Sequence, residues 1–411
     1  MPKKTIDQID VKGKIVLCRV DFNVPLDRDL RITDDRRIVK ALPTIRSVID
    51  RGGRLALISH LGRPKGDPEV DRKFSLTPVA KRLSQLLDQP VRMVPDCIGT
   101  VVEQAVSELK DGDCILLQNL RFHAAETIKD KNAADDPSLK KQKETFATSF
   151  TRWADIYVND AFGTCHRDNA SMLTVPKMMG DKPKVPGFLV QKELQFLGQT
   201  LANPKRPFVA ILGGAKVSDK IGVIEALIPQ CDAILIGGAM NYTFMAAEGI
   251  KVGKSLVEMD KTDEAARLRT LAGDKLKIPI DVVTTAKIEA GAETSVVEGD
   301  IPDDRQGVDI GPKTVVAFRE ILFNAKTIVW NGPMGIFEIK PFDAGTVAIA
   351  HAVADATDAG AISIIGGGDS AAAVDAAGLQ DRMTHISTGG GASLEFLEGK
   401  PFKPIDILDE A

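Results

Sequence analysis

The chain has 411 residues, too long for one ordinary core, and 44% apolar with 27% charged residues describes a globular protein of two domains. A formal net charge of −4 argues against a general nucleic-acid binder, so any anion site must be a local basic patch. Cys18, Cys97, Cys114, Cys165 and Cys231 form no C-x-x-C pair, which argues against a metal or disulfide framework. With no apolar core in MPKKTIDQID and no long apolar run, a cytoplasmic protein without a membrane partner is expected.

In chain order, apolar runs alternate with helix-like stretches. Lys14 to Val20 runs into Asp21, Phe22, Asn23, Val24 and Pro25; Arg54 to Ser59 runs into His60, Leu61, Gly62, Arg63 and Pro64. Ile115 to Leu117 leads to Asn119, Leu120, Arg121, Phe122 and His123, and Asp155 to Val158 leads to NDAFGTCHR, ending in His166 and Arg167. Ile38 to Asp50 and Thr77 to Leu87 read as helices, the second with Thr77 as N-cap and Pro78 at the first helical position. Ala124 to Thr151, polar and lysine-rich, reads as a solvated helical excursion. This alternation predicts a parallel sheet with helices on both faces, whose ligands lie beyond the strands' carboxyl ends. One crevice should therefore hold Asp21, Asn23, His60, Arg63, Arg121, His166 and Arg167, with Arg36 of the DDRRI segment in reach. Converging guanidinium forks suit a phosphorylated carboxylate, although any one arginine could equally be solvated or paired with an aspartate. His60 and His166 read as ligand contacts and not as general bases.

Lys177 to Pro186 (KMMGDKPKVP) marks a loop or boundary. Phe188 to Leu201 follows with Leu189, Leu194, Leu197 and Leu201 at helical spacing, a rigid connector suited to hinge bending. In the second half the strand ends turn to glycine. Phe208 to Leu212 gives way to Gly213, Gly214, Ala215, Lys216, Val217, Ser218, Asp219 and Lys220; Ala233 to Ile236 gives way to Gly237 and Gly238. Thr327 to Trp330 precedes Asn331, Gly332, Pro333, Met334 and Gly335, with Glu338 close behind. Ala361 to Ile365 enters Gly366, Gly367, Gly368, Asp369 and Ser370, and Ile386 to Thr388 enters Gly389, Gly390 and Gly391. Asp369 or Ser370 is expected to cap the helix that follows, and Lys216 and Lys220 to share one helix face. Bare backbone amides and helix N-termini suit nucleotide phosphates, and Asp369 suits Mg²⁺ on them; a tight turn in an α/β core is the plainer alternative. Neither G-x-x-x-x-G-K-[ST] nor G-x-G-x-x-G occurs at these strand ends.

One lobe gripping a small anion and another gripping a nucleotide implies phosphoryl transfer in a cleft that excludes water. RVDFNVP (19–25), HLGRP (60–64), NLRFH (119–123), NDAFGTCHR (159–167), LGGAKVSDKI (212–221), WNGPMGIFE (330–338), IIGGGDS (364–370) and STGGGASLEFLEG (387–399) make the chain resemble the phosphoglycerate kinase family over nearly its full length. The resemblance implies an α/β fold of two doubly wound parallel-sheet, Rossmann-like domains joined by a hinge helix. It gives 1–186 plus 400–411 as the 3-phosphoglycerate domain, 187–399 as the nucleotide domain, and 187–202 as the interdomain helix. It implies reversible phosphoryl transfer from 1,3-bisphosphoglycerate to MgADP, giving 3-phosphoglycerate and MgATP, in a cytoplasmic monomer. The glycerate would be held by Asp21, Phe22, Asn23, Arg36, His60, Leu61, Gly62, Arg63, Arg121 and Arg167. Gly214, Ala215, Lys216, Lys220, Gly238, Gly307, Asn331, Pro333, Glu338 (on the ribose), Gly367, Gly368, Asp369 and Ser370 would surround ATP or ADP, with Asp369 toward Mg²⁺. Arg36, Lys216 and the helix N-termini at Gly368 and Gly391 would act on the transferring group, and the tail from Pro401 would return to the first domain.

One stretch departs from the family pattern. Ile301 to Pro312 reads IPDDRQGVDIGP, with Arg305 and Gln306 where a Trp-Met pair is usual, near the expected adenine pocket. Cys165 reads as a buried packing thiol, with thiol sensitivity as the other reading. A dinucleotide-dependent oxidoreductase would need a glycine fingerprint that is missing here. A non-catalytic nucleotide-binding protein on the same scaffold would be expected to lack Arg36, Lys216 or Asp369, and all three are present.

Overall fold

The computed structural model describes residues 3–411. The chain divides into two compact units, Met1–Leu194 with Pro401–Ala411, and Gln195–Lys400.

Six parallel strands form the sheet of the first unit: β1 (Ile15–Val20), β2 (Arg54–Ile58), β3 (Val91–Met93), β4 (Cys114–Leu116), β5 (Ile156–Asp160) and β6 (Lys184–Pro186), in the order β3-β4-β2-β1-β5-β6. Val16 to Val20 are all buried, as a central strand covered on both faces requires. The chain runs outward from β1 through β2 and then returns to lay β5 on the other flank of β1, with Val16 opposite both Leu55 and Ile156. The order therefore reverses beside β1, and a doubly wound sheet opens its ligand crevice at such a point. The core joins Val16, Val20, Leu55 and Val158 to Ile38, Ile45 and Val48 of the helix Arg36–Ile49.

Local details depart from the sequence expectations for physical reasons. The helix Thr77–Leu87 starts one residue early, with Leu76 at its cap, because the Thr77 hydroxyl is engaged 2.9 Å from Ser75 Oγ. Ala124 to Thr151 is helical and largely exposed, as read, but not on every face: a 3₁₀ turn (Ala124–Thr127) and two helices (Asp130–Asp135, Pro137–Thr151) turn Glu126, Lys143, Phe146 and Phe150 inward. Lys143 Nζ is satisfied inside, donating to Asp130 Oδ1 at 2.7 Å and to the Asp168 carbonyl at 2.6 Å. The stretch read as a boundary loop ends in β6, an edge strand that tolerates Pro186.

The second unit repeats the design with β7 (Phe208–Leu212), β8 (Ala233–Ile236), β9 (Leu276–Lys277), β13 (Thr327–Asn331), β14 (Ile362–Gly366) and β15 (His385–Ile386), in the order β15-β14-β13-β7-β8-β9. Its order reverses between β7 and β13, where Ile211 pairs with Trp330. A second, antiparallel sheet of β10 (Val282–Thr285), β11 (Thr294–Val297) and β12 (Gln306–Ile310) was not foreseen; β12 lies within the altered IPDDRQGVDIGP segment and starts one residue after Arg305. The connector is not one uniform helix. An α-helix (Phe188–Glu193) widens into a π-helix (Leu194–Gln199) before one last turn (Thr200–Ala202), and the Leu201 side chain lies outside the described residues.

Candidate active site

In the first unit, the turns beyond β2, β4 and β5 gather cations around one cavity of about 840 Å³. Arg63, Arg121, His166 and Arg167 line it, with Lys129 and Lys403 at its wall. The loops beneath are tied to each other. Asn23 Oδ1 accepts from Gly62 N at 2.8 Å, and Arg121 Nη1 donates to the Gly62 carbonyl at 2.7 Å. Gly62 has φ +62° and a Cβ there would lie 2.3 Å from the Phe74 ring, so the turn requires glycine. Leu61 donates its N–H to Asn119 Oδ1 at 3.2 Å, and Phe22 donates to Ser59 Oγ at 2.9 Å. Both side chains are buried, so Phe22 and Leu61 shape the loops from inside.

Charge around this cavity is mainly positive, with Asp168 the one carboxylate among the described residues that line it. Burial and the neighbouring Arg167 lower the Arg121 pKa to about 10. Burial, then Arg19, Arg121, Arg167 and Arg37, hold the His60 pKa well below the usual imidazole value, so the ring is neutral. Burial and Arg167 bring His166 to about 4, and its Nδ1 is buried without a partner. A bound anion would relieve this mutual repulsion. Arg36 does not line the cavity: it opens its helix with the guanidinium on Asp34, at 2.8 and 2.6 Å. Its neighbour Arg37, which the sequence reading passed over, pairs with Asp21.

Arg19 was missed as well. It is fully buried, donating Nε to Ser171 Oγ at 3.0 Å and Nη2 to His60 Nδ1 at 3.1 Å. Arginine cannot accept, so Nδ1 is the acceptor and the ring proton sits on Nε2. Behind it the Ser171 hydroxyl donates to buried Glu126 Oε1 at 2.7 Å. An arginine inside the apolar run VLCRV was the available signal, since a buried guanidinium demands partners. Cys165 is fully buried, and burial pushes its thiol pKa up, so it packs as an unreactive thiol.

In the second unit the predicted residues follow the carboxyl ends of β7, β8, β13, β14 and β15, except Gly307, which lies in β12 of the antiparallel sheet. Gly213 to Lys220 form a turn and the helix Ile221–Leu227 begins after Lys220, so Lys216 and Lys220 do not share a helix face. Glu258 holds that turn open, accepting from Ser218 N at 3.0 Å and Ser218 Oγ at 2.6 Å. Lys216 and Ala215 are exposed, whereas Lys220 is buried with its ammonium on Asn331 Oδ1. Burial lowers the Lys220 pKa to about 8 against the opposing pull of Asp219, Asp369 and Glu398. The other end of that amide, Asn331 Nδ2, is a buried donor without a partner beneath the Gly366–Gly367 turn.

The glycines divide by what surrounds them. A Cβ on Gly238 would lie 2.4 Å from Gly214 N and one on Gly332 2.1 Å from Gly213 O, so these serve close backbone packing. A Cβ on Gly214, Gly368 or Gly391 would meet nothing within 4 Å, so a ligand can approach the backbone closely on that side. Gly367, not Asp369 or Ser370, is the cap of the helix Gly368–Ala376, because Ser370 Oγ is taken by Gly332 N at 2.6 Å. Asp369 is exposed in the first turn. Glu338 lines a separate cavity of about 580 Å³ with Phe337, Val347, His351, Ala373 and Ala377. Arg305, Gln306 and Gly307 do not line it; a Cβ on Gly307 would lie 2.1 Å from the Tyr242 hydroxyl.

A sequence model of the family described as "Phosphoglycerate kinase" matches residues 6–400. The chain belongs to the phosphoglycerate kinase family. The phosphoglycerate kinase of Rhodopirellula baltica is 55% identical over 414 residues, and that of Chlorobium chlorochromatii 54% over 413, each covering 100% of both chains. Among solved structures, phosphoglycerate kinase from Coxiella burnetii aligns with a TM-score of 0.84 at 38% identity, over 99% of this chain and 98% of that one. The enzyme from Pyrococcus horikoshii aligns equally well at 31% identity, with a TM-score of 0.84 over 99% and 98%. Two doubly wound parallel sheets are thus this family's architecture, as the motifs implied.

Proposed function

We propose that the protein is a phosphotransferase moving a phosphoryl group reversibly between 1,3-bisphosphoglycerate and MgADP, giving 3-phosphoglycerate and MgATP. The observation that carries this reading is the contrast between two half-sites. Arg63, Arg121 and Arg167 surround one cavity of the first unit, while the second unit offers open glycine turns beside Lys216 and Lys220.

In this reading Arg63, Arg121, Arg167 and the Nε2–H of His60 take the carboxylate and phosphate of the glycerate. Asp21 and Asn23 take its hydroxyl, and Phe22, Leu61 and Gly62 set the loops. Gly214, Ala215, Lys220, Asn331, Gly367 and Ser370 serve the nucleotide phosphates, Gly238, Gly307 and Pro333 shape its surroundings, and Glu338 takes the ribose. An acyl phosphate is already activated and the terminal oxygen of ADP already ionised, so no general base is required. Rate then depends on alignment and on neutralising charge over the equatorial oxygens. Arg36, Lys216 and the amides of Gly368 and Gly391 supply that neutralisation once the half-sites meet, with the connector as hinge.

Mg²⁺ fits the residues present: Asp369 is an exposed, hard carboxylate at a helix N-terminus near Lys220, and Mg²⁺ binds through one or two carboxylates plus phosphates. When bound, the ion offsets the charge of the nucleotide phosphates. Among the described residues no helix is long and apolar enough to cross a membrane, and the free cysteines suit a reducing compartment such as the cytoplasm; the monomeric state is carried over from the family resemblance.

A coupled assay of ATP-dependent 3-phosphoglycerate phosphorylation tests the proposal, with GTP alongside to probe the Arg305–Gln306 segment. Turnover with ATP is expected; nucleotide binding without turnover would favour the non-catalytic reading.

A further inference from the structure

The turn after β3 and the turn after β4 bring together three side chains that phosphoryl transfer does not use. One carboxylate oxygen of Asp96, the Sγ of Cys97 and an imidazole nitrogen of His123 all lie within 4.8 Å of one another. We propose that this trio is a site for a thiophilic divalent cation of the Zn²⁺ type, and that its occupancy restrains the segment carrying Arg121.

Sulfur, nitrogen and oxygen donors in one cluster select a borderline-soft ion over Mg²⁺ or Ca²⁺, and three protein ligands leave a fourth position for water. Ligand atoms around Zn²⁺ sit roughly 3.3–3.8 Å apart, as its bond lengths require. Side-chain adjustments of about an ångström reach that spacing from the present one. The backbone is already braced: Asp96 Oδ1 accepts from Cys97 N at 2.6 Å, Gln118 N donates to the Asp96 carbonyl at 3.3 Å, and His123 N donates to the Leu120 carbonyl at 3.1 Å. Access is one-sided. The side chains of Asp96 and His123 are 45% and 30% exposed, whereas Cys97 is 1% exposed, so an ion entering past the carboxylate meets a shielded thiol. No other cysteine belongs to such a group among the described residues.

The proton balance closes without a redox partner. His123 Nε2 now faces Asp96 Oδ1 at 2.7 Å; its proton moves to Nδ1 and the freed lone pair binds the metal. The Cys97 thiol gives its proton to solvent, and thiolate plus carboxylate neutralise the dication. His123 lies two residues beyond Arg121 on the same 3₁₀ turn and loop, Leu120–Phe122, so pinning its ring constrains how that guanidinium can adjust. This functional consequence rests on the kinase reading; the binding does not.

Titration of the reduced, metal-free chain with Co²⁺ tests the site. One equivalent should bind with a thiolate-to-cobalt charge-transfer band and tetrahedral d–d absorption, both displaced by Zn²⁺. Cys97→Ser should abolish the band, His123→Gln should weaken binding by more than the roughly 10–100-fold that loss of an outer-shell partner costs, and Cys165→Ser should leave both unchanged. A band that survives in Cys97→Ser, or the lack of a saturable equivalent in the parent chain, overturns the proposal. Thermal unfolding checks that the variants fold, and partly exposed His123→Gln carries the test if Cys97→Ser does not. In kinetics, Zn²⁺ should raise the KM for 3-phosphoglycerate in the parent chain and not in Cys97→Ser. Absence of any turnover would count against the kinase reading alone, leaving the spectral result intact.

Discussion

Lys220 and Arg36 are both cations assigned to phosphate, yet their surroundings give them different signatures. Burial holds Lys220 at about 8, and a phosphate beside it would raise that value. Between about pH 8 and 10 nucleotide binding therefore takes up a proton, and affinity falls as pH rises through about 8 while staying flat below it. Calorimetry at about pH 8.5 in buffers of different ionisation enthalpy should show this uptake, and Lys220→Met should abolish it; buffer-independent heats in the parent chain would contradict the assignment. Arg36 is about half exposed, and an exposed ion pair such as its contact with Asp34 is worth only about 0–1 kcal/mol. Arg36→Ala is therefore expected to fold normally and to lower kcat by about 10³-fold or more, with ADP affinity nearly unchanged. A change confined to KM in single-turnover kinetics would remove Arg36 from the transition state. The sequence exposed these residue types but not their pairings. Asp-Asp-Arg-Arg presents two adjacent arginines, and only helical phase decides that Arg36 turns to Asp34 while Arg37 reaches Asp21. Arg19 escaped for a related reason, since nothing local reveals that Ser171 and His60 wait for it across the fold.

Strands between helical layers read directly from sequence, because a strand buried on both faces is a near-continuous apolar run, unbroken in FVAIL and interrupted only by Arg19 in IVLCRV. Two- and three-residue edge strands such as Leu276–Lys277 and Val91–Met93 carry too little pattern, and the alternately exposed Thr294–Val297 blends with its loops. The connector illustrates a second limit: its apolar spacing fits a helix, but not the π-helical widening at Leu194–Gln199. Its start is fixed by Asp160, whose Oδ1 accepts from Leu189 N at 2.9 Å and Val190 N at 3.3 Å while Oδ2 is buried without a partner. A Cβ on Gly187 would lie 2.3 Å from that same Oδ1, so the entry turn is shaped around the carboxylate. Burial raises the Asp160 pKa from 3.8 to about 7, with Thr44 and the two amides pulling the other way. The folded chain thus keeps a proton that the unfolded chain releases between about pH 4 and 7, so this group's contribution to stability is present below pH 4 and lost as pH rises through 7. Asp160→Asn resembles the protonated form and should lose nothing across that window. Its stability relative to the parent chain should rise from pH 4 to 8, by at most about 4 kcal/mol at 1.36 kcal/mol per pKa unit. Urea midpoints at intervals across this range check it, and parallel pH profiles for the two proteins would show that Asp160 is ionised throughout.

Each unit has its own apolar core, one built on Val16, Val20 and Ile45, the other on Val209, Ile328 and Trp330, so a single unfolding free energy does not describe the molecule. The last residues belong to the first unit although the chain reaches them through the second. Asp409 accepts from Lys4 N at 3.1 Å and, through Oδ2, from Lys184 N at 2.9 Å, so the tail closes over β6 and the N-terminal segment. Phe402, Ile405 and Leu408 are buried, and the Phe402 ring lies 5.9 Å from that of Phe162, in the turn after β5. Burying three such side chains is worth about 1.5–3 kcal/mol each, a large share of what holds a single domain together. Removing Pro401 to Ala411 should therefore loosen the first unit selectively. Hydrogen exchange followed by mass spectrometry should show protection falling in β1, β5 and β6 while β7 and β13 keep theirs, because no tail residue belongs to the second core. An equal loss in both sheets would mean that the two cores unfold as one and that the tail's partners lie beyond the first unit.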